Sequence, residues 1–210
     1  LDLNIPSNFP SRVSYFTHIK DNISDSSFNR ERILISVHPE HKDIWFWTIS
    51  LSDGSCSIGV VGEEKYFAKL ANKGMSNKEI LQSFFKKETY LAKILADAEY
   101  HQDVQKISGY ASSVKTLHGE SFALLGNAGE FLDPVFSSGV TIAIKSASMA
   151  ADLLDRQFKG EDICWQEDFA TPLKAGVDVF RAFVESWYKG DLIDVFFSDV
   201  ESNKDIKSYL

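Results

Sequence analysis

The segment from Ser121 to Asp155 constrains the fold most, because it joins a short apolar run, a glycine- and serine-rich loop and a long helical pattern. Residues 122–125 predict a buried strand that ends at Gly126. From Val140 onward the apolar residues recur at helical spacing, and such a stripe usually faces a protein core. The stripe consists of Ile144, Ala147, Ala151 and Leu154, with Ala143 and Ala150 beside it.

The start of this predicted helix has the features of an anion-binding site. Ser137 and Ser138 stand where helix N-cap residues stand, with free backbone N–H groups just beyond them. Those donors and the positive end of the helix dipole favour an anion or a polarised carbonyl group. The alternative is a capped helix that binds no ligand.

The loop itself carries a resemblance to a known family. Residues 126–140, GNAGEFLDPVFSSGV, resemble the second FAD motif of the flavoproteins that include aromatic hydroxylases, geranylgeranyl reductases and flavin-dependent halogenases. The D-P-x-F-S-S-G part is similar to that of the halogenase-like branch. The resemblance implies FAD as the cofactor and a halide site at Ser138 and Gly139. The cofactor-binding residues that it implies are Gly126, Asn127, Asp133, Pro134, Ser137, Ser138, Gly139 and Val140.

One position departs from that motif. Asn127 stands where the family usually has an Asp that holds the ribityl chain of FAD. An amide can still donate a hydrogen bond to a hydroxyl group and accept one from it. Binding is therefore compatible with Asn127, although one negative charge is lost.

A second motif lies upstream, in the sequence WFWTIS. Trp45 and Trp47 are two residues apart in a predicted strand, so they share one face, while Phe46 faces the other way. Packing alone would explain a tryptophan pair on a sheet. The segment is also similar to the W-x-W-x-I-P signature of flavin-dependent halogenases, with Ser50 in place of the proline. That resemblance implies that Trp45 and Trp47 form the catalytic wall on the substrate side of the flavin.

The remaining pattern predicts an α/β (α+β) fold with a mainly antiparallel sheet and packed helices. Strands are predicted at residues 12–19, 32–37, 44–51 and 55–61, with a hairpin at Asp53-Gly54, and an extended segment at 104–114. Helices are predicted at 66–72, at 76–98 behind a capping box at Ser76, at 162–188 with a kink or an early break at Pro172, and at 191–198. Three segments follow: 1–104 with the substrate-side sheet, 105–160 with the flavin motif, and 161–210 with C-terminal helices.

Composition excludes several function classes. The 210 residues include 22 Lys and Arg against 30 Asp and Glu, for a net charge of −8, which is unsuited to a nucleic-acid surface. Cys56 and Cys164 lie far apart outside any C-x-x-C pattern, which predicts a reduced, cytoplasmic protein. No apolar stretch approaches the ~18 residues of a membrane span. No pattern of histidines and cysteines predicts a metal site.

The sequence contains no GxGxxG fingerprint, which in the resembled family cradles the FAD pyrophosphate. We therefore expect the central and C-terminal part of a larger flavoprotein, inactive by itself, with an incomplete FAD-binding domain. The resemblance implies an FAD-dependent oxidoreductase that uses reduced flavin and oxygen on a small organic substrate. Its partners would be a dinucleotide-binding half and a flavin reductase. The alternatives are a hydroxylase or double-bond reductase on the same scaffold, and a flavin-free binding module.

Overall fold

The computed structural model describes residues 2–6 and 10–198, so the predicted C-terminal segment is described only as far as residue 198. The strands are β1 (Asn4–Pro6), β2 (Arg12–Lys20), β3 (Leu34–Val37), β4 (Trp45–Ser50), β5 (Ser55–Glu63), β6 (Gln105–Ser108), β7 (Ser112–Val114), β8 (His118–Gly119), β9 (Phe122–Ala123) and β10 (Glu130–Phe131). The α-helices are α1 (Glu64–Ala71), α2 (Asn77–Phe85), α3 (Thr89–Ile94), α4 (Ser138–Phe158), α5 (Thr171–Lys189) and α6 (Asp191–Phe196). Contacts divide the chain into a Pro10–Gly109 unit and a second unit formed by the residues on both sides of it.

The Pro10–Gly109 unit is built on a five-stranded antiparallel sheet in the order β3-β4-β5-β2-β6. Side chains alternate across this sheet, so Tyr15, Phe46 and Val60 meet on one face. Helices α1, α2 and α3 cover that face and complete the hydrophobic core with aromatic and aliphatic residues such as Phe67 and Leu81. The predicted antiparallel α+β architecture is therefore confirmed.

The predicted hairpin is confirmed. Strands β4 and β5 pair antiparallel around Asp53-Gly54, from Trp45 opposite Val61 to Ser50 opposite Cys56. Trp45 and Trp47 share the face opposite the helix-covered core, and their ring centres lie 5.8 Å apart.

Trp47 lies across a glycine of the neighbouring strand. Its partner in the β4–β5 ladder is Gly59, and a Cβ atom at Gly59 would overlap the Trp47 ring. The indole N–H of Trp47 donates a hydrogen bond to Ser57 Oγ at 3.1 Å. The glycine therefore provides the space in which the tryptophan lies flat on the sheet.

The predicted helix over residues 76–98 is wrong in its extent. The capping box at Ser76 is present, with the Ser76 hydroxyl and the Glu79 carboxylate each bonding the other residue's backbone. However, the helix ends at Phe85, and a second helix begins after Glu88, whose carboxylate accepts from the Leu91 N–H. An acidic N-cap side chain satisfies free donors and so starts a new helix within the predicted one.

The predicted buried strand at residues 122–125 is also wrong. Only Phe122 and Ala123 are strand, they are half-buried, and among the described residues they pair only with the two-residue strand β8. Leu125 is exposed. A buried strand needs hydrogen-bonding partners for its backbone along both edges, and this segment has one short partner.

Helix α4 has the predicted periodicity, but it buries a different face. Val140, Ile144 and Phe158 are 69%, 66% and 84% exposed, and Leu154 is also exposed. The buried positions are Ser138, Ile142, Ser146, Ala150 and Leu153. Most of these side chains are small or polar, which allows neighbouring backbone to approach the helix closely. The apolar stripe is therefore left on the outside of this unit.

The helix predicted at 162–188 is confirmed over α5, but it begins later than predicted. Phe169, Leu173, Val177, Val184 and Trp187 are all buried. The predicted break at Pro172 is confirmed, since a π-helical turn at Gln166–Ala170 precedes α5 and Pro172 lies in its first turn. Gly190 ends the helix in a left-handed conformation, and α6 follows as predicted. Within the described residues, no helix has the length and apolar character needed to cross a membrane.

Gly59→Ala tests the contact beneath Trp47. The added methyl group must displace the indole, so we expect the free energy of unfolding to fall by ~1–3 kcal/mol and the near-ultraviolet circular dichroism of Trp47 to change. Urea unfolding and the spectrum measure both effects.

The same substitution at Gly176 in α5 is the control, because a Cβ there meets no atom within 4 Å. Gly176→Ala should stabilise the protein by ~0.5–1 kcal/mol. A Gly59→Ala variant with unchanged stability and spectrum would contradict the described packing.

Candidate functional site

The candidate site begins where Gly126 touches helix α4. Gly126 has a φ of +53° and opens a 3₁₀ turn at Gly126–Ala128. Its N–H donates a hydrogen bond to Ser146 Oγ at 2.9 Å, and that hydroxyl donates in turn to the Ala143 carbonyl at 3.0 Å. A Cβ at Gly126 would lie 2.9 Å from the Ala143 Cβ. Both the backbone angle and the close approach therefore require glycine here.

The turn places Asn127 beside the first turn of α4. A Cβ at Gly139 would lie only 3.2 Å from Asn127 Oδ1, so the amide group lies directly against this glycine. Asn127 and Val140 are exposed and Gly139 is half-buried, which leaves this corner accessible. The sequence motif therefore brings Asn127, Gly139 and Val140 together on an accessible surface.

Asn127 reaches this place by another route than we predicted from the sequence. The predicted buried strand would end directly before Asn127, whereas the structure places Asn127 in the 3₁₀ turn after a two-residue hairpin strand. The physical reason is that the segment before Gly126 lacks the strand partners it would need.

The N-terminus of α4 has free hydrogen-bonding capacity. Ser137 is the N-cap residue, as predicted, but it has a φ of +50° and its side chain makes no capping hydrogen bond. Ser138, predicted as the second cap candidate, is the first helical residue and is buried. An N-terminus without a side-chain cap keeps backbone N–H donors available for a ligand.

Asp133 braces the loop from within. It is buried, its Oδ1 accepts from the Val135 N–H at 3.0 Å, and its Oδ2 accepts from the Tyr188 hydroxyl at 2.9 Å. Pro134 follows as the first residue of a second 3₁₀ turn, Pro134–Phe136. These contacts hold the loop in shape, and a direct role of Asp133 and Pro134 toward a cofactor stays a prediction.

An ion pair that we did not predict from the sequence ties the loop between Gly126 and Val140 to α5. Glu130 is buried, accepts from Ser113 Oγ at 2.9 Å and forms a short ion pair with Arg181. Glu130 and Arg181 are 51 residues apart, so no local spacing reveals the pair. The available signal in the sequence was the Glu130 carboxylate directly before the apolar residues Phe131 and Leu132.

A cavity of about 390 Å³ lies behind this loop. Gly126, Gly129 and Glu130 line one side, and residues of α5 such as Leu173 and Val177 line the other. Of the predicted cofactor residues only Gly126 borders it. The cavity is thus separate from the accessible corner at Asn127 and Gly139.

Trp45 and Trp47 belong to the Pro10–Gly109 unit, whereas the motif loop belongs to the other unit. Trp45 is 2% exposed and Trp47 is half-buried. Their role as a substrate-side wall stays a prediction.

Other reactive groups have structural explanations. Cys56 is buried and donates to Asp21, and burial together with this hydrogen bond raises the pKa of Cys56 to about 12, so it is an inert thiol at neutral pH. Burial also lowers the pKa of His38, whose Nδ1 accepts from the Glu40 N–H. Among residues 2–6 and 10–198, no group of three His, Cys, Asp or Glu side chains could hold a metal ion.

Comparison with known proteins places these features in context. No family model matches the chain. A solved flavoprotein/dehydrogenase from Cytophaga hutchinsonii is 39% identical, with a TM-score of 0.86 over 94% of this chain and 47% of its own. The flavin-dependent halogenase rdc2 of Metacordyceps chlamydosporia is 33% identical over 120 residues, 56% of this chain and 23% of its own.

A bacterial relative matches a longer stretch. The 1H-pyrrole-2-carbonyl-[peptidyl-carrier protein] chlorinase of Pseudomonas fluorescens is 27% identical over 178 residues, 76% of this chain and 39% of its own. The chain therefore spans less than half the length of each of these relatives. The predicted resemblance to the halogenase-like flavoproteins is confirmed in sequence and in fold.

Gly126→Ala tests the contact that organises the site. The left-handed backbone costs ~1–2 kcal/mol for a residue with a Cβ, and the overlap with Ala143 adds ~1–3 kcal/mol. We expect the free energy of unfolding, measured in urea, to fall by about 3 kcal/mol.

Gly160→Ala is the matched control, because Gly160 also has a positive φ, +86°, but a Cβ there meets no atom within 4 Å. It should lose only the backbone contribution of ~1–2 kcal/mol. Equal losses in the two variants would show that Ala143 does not crowd Gly126.

Proposed function

We propose that this chain, which is related in sequence and fold to flavin-dependent halogenases, forms part of an FAD-dependent oxidoreductase that acts on a small organic substrate. The observation that carries the proposal is the contact between Asn127 and Gly139, at a helix N-terminus without a side-chain cap. This arrangement lies in the segment that resembles the second FAD motif. The cofactor proposed for it is FAD.

The residues at this corner fit a flavin. Gly139 leaves an open surface where any side chain would crowd the amide of Asn127. The Asn127 amide can hydrogen-bond the hydroxyl groups of a ribityl chain, both as donor and as acceptor. The backbone amides of Gly139 and Val140 and the helix dipole can stabilise negative charge at the pyrimidine edge of the ring. When bound, FAD supplies the redox chemistry that the protein side chains lack.

Within this proposal each segment has a role. The loop between Gly126 and Val140 holds and polarises the cofactor, with Asp133 and Pro134 keeping its shape. The backbone of Ser138 and Gly139 is the proposed halide site. Trp45 and Trp47 form the proposed wall that orients the substrate and excludes water. Residues 1–104 would form the substrate side, 105–160 the flavin segment and 161–210 the supporting helices.

A different reaction on the same scaffold is favoured by one observation. Ser50 replaces the proline that ends the halogenase signature, and it lies at the end of strand β4, opposite Cys56. A hydroxylase or double-bond reductase would use the same flavin corner without a halide at Ser138 and Gly139. A flavin-free binding module remains the alternative outside enzymes.

We also propose a dinucleotide-binding half as the partner of this chain, with a flavin reductase supplying reduced cofactor. The exposed apolar stripe of α4, with Val140, Ile144 and Phe158, supports a partner surface there, because water-exposed apolar stripes are unfavourable on an isolated protein. The solved Cytophaga flavoprotein is about twice as long as this chain, which leaves length for such a half. The free cysteines Cys56 and Cys164 fit the proposed cytoplasmic location.

Asn127→Leu tests the flavin proposal. The 210-residue chain alone should bind FAD weakly or not at all, and joining it to a dinucleotide-binding half should restore binding. In that joined protein, Asn127→Leu removes the amide at similar size, and each lost hydrogen bond contributes ~0.5–1.5 kcal/mol. We expect FAD affinity, measured by flavin fluorescence quenching, to fall about 3–10-fold.

Asn127→Asp is the control, since it supplies the acid usual in the resembled motif, and FAD affinity should be retained. Unchanged affinity in Asn127→Leu would contradict the proposed contact, and tight stoichiometric FAD binding by this chain alone would contradict the need for a dinucleotide-binding half.

Trp47→Ala tests the proposed substrate wall in the joined protein. If Trp47 contacts substrate, turnover should fall strongly while bound FAD stays constant, and Trp47→Phe should retain part of the activity. If Trp47 serves only packing, stability should fall first, by less than the ~3–5 kcal/mol of a fully buried aromatic because Trp47 is half-buried. Melting temperature, flavin content and turnover, measured on the same samples, separate the two outcomes.

A further inference from the structure

A cationic cavity lies in the Pro10–Gly109 unit. It has a volume of about 520 Å³, and four lysines line it: Lys65, Lys69, Lys73 and Lys87. No Asp or Glu is among the described residues that line it. This concentration of positive charge contrasts with the net charge of −8 for the whole chain.

Two of these lysines share one side of a helix. Lys65 and Lys69 lie four residues apart in α1, and Lys73 lies in the turn that follows the helix. Like charges at this spacing repel each other, so an anion between them would relieve an unfavourable interaction. Lys65 is paired with Glu63 at 3.0 Å, whereas Lys69 and Lys73 form no ion pair within the part of the chain that the structure describes.

Aromatic side chains form the floor of the cavity. The rings of His41 and Tyr66 lie 4.8 Å apart, and Phe84 lines the cavity beside them. The Lys65 ammonium lies 5.0 Å from the centre of the Tyr66 ring, and the Lys87 ammonium lies 5.3 Å from that of Phe84. These cation–π contacts hold two of the ammonium groups at the rim of an aromatic surface.

We propose that this cavity binds a small organic phosphate with an aromatic or similarly flat apolar body. A doubly charged phosphate gains more attraction from several ammonium groups than a single carboxylate does. Lysine binds phosphate well as a point charge, and the flat body packs on the half-buried ring of Tyr66. The site goes beyond the proposed flavin chemistry and does not depend on it.

Isothermal titration of the 210-residue chain with phenyl phosphate tests this site. We expect saturable binding at one site that weakens as salt is raised, because the charges are exposed to solvent. Inorganic phosphate and phenol should each bind more weakly, since inorganic phosphate lacks the aromatic ring and phenol lacks the phosphate. The double variant Lys69→Gln/Lys73→Gln should lose at least about tenfold in affinity for phenyl phosphate.

Lys78→Gln/Lys86→Gln is the matched control. It makes the same change in net charge on and just after α2, at exposed lysines that do not line the cavity. Its affinity for phenyl phosphate should equal that of the unchanged chain, and circular dichroism should show both double variants folded. Because the titration contains no flavin, its result is separate from the FAD test.

Three results would overturn the proposal. The first is the absence of saturable binding by the unchanged chain. The second is an equal loss in both double variants, which would mean that only net charge matters. The third is equal affinity for inorganic and phenyl phosphate, which would mean that the aromatic floor contributes nothing.

Discussion

The close approach of Gly126 to helix α4 is the constraint on which the candidate site depends. The Gly126 N–H donates to Ser146 Oγ, and Gly126 packs closely against Ala143, so the start of the following turn is fixed on the surface of the helix. That turn brings Asn127 to Gly139. The small buried residues of α4 therefore let the backbone at Gly126 pack closely against the helix. The larger apolar side chains of the exposed stripe face outward.

Two buried carboxylates then hold the loop against α5. Glu130 pairs with Arg181, and Asp133 accepts from Tyr188, so the start and the middle of the segment between Gly129 and Ser137 are tied to the same helix. Breaking one partner of a buried ion pair is costly, because it leaves an uncompensated charge. The loop is thus held in place just before α4. The groups that it offers to a ligand are the Asn127 amide and the backbone N–H donors at the start of α4. Such preorganised donors need little rearrangement to stabilise charge.

Sequence reasoning succeeded where local chemistry decides the structure. The Asp53-Gly54 turn, the Ser76 capping box and the α5 stripe each depend on neighbours within a few residues, and all three are present. It failed at residues 122–125, where strand formation depends on partners distant in sequence. It also failed at α4, because periodicity shows which residues share a face of the helix but not which face packs against the protein. Asn127 and Gly139 could be named from a motif. The Glu130–Arg181 pair could not, because only the tertiary fold brings it together.

The interrupted second unit has a consequence for how the chain folds. Strand β1 pairs with β7 across more than a hundred residues, with Asn4 opposite Val114. Closing so long a loop costs about 4 kcal/mol in chain entropy. The Pro10–Gly109 unit removes most of that cost once folded, because its own ends meet: Val13 pairs with Ser108, and the Gly109 N–H donates to the Arg12 carbonyl at 3.1 Å. We therefore expect the inserted sheet to fold before β1 pairs with β7, so that the β1–β7 pairing depends on the folded Pro10–Gly109 unit.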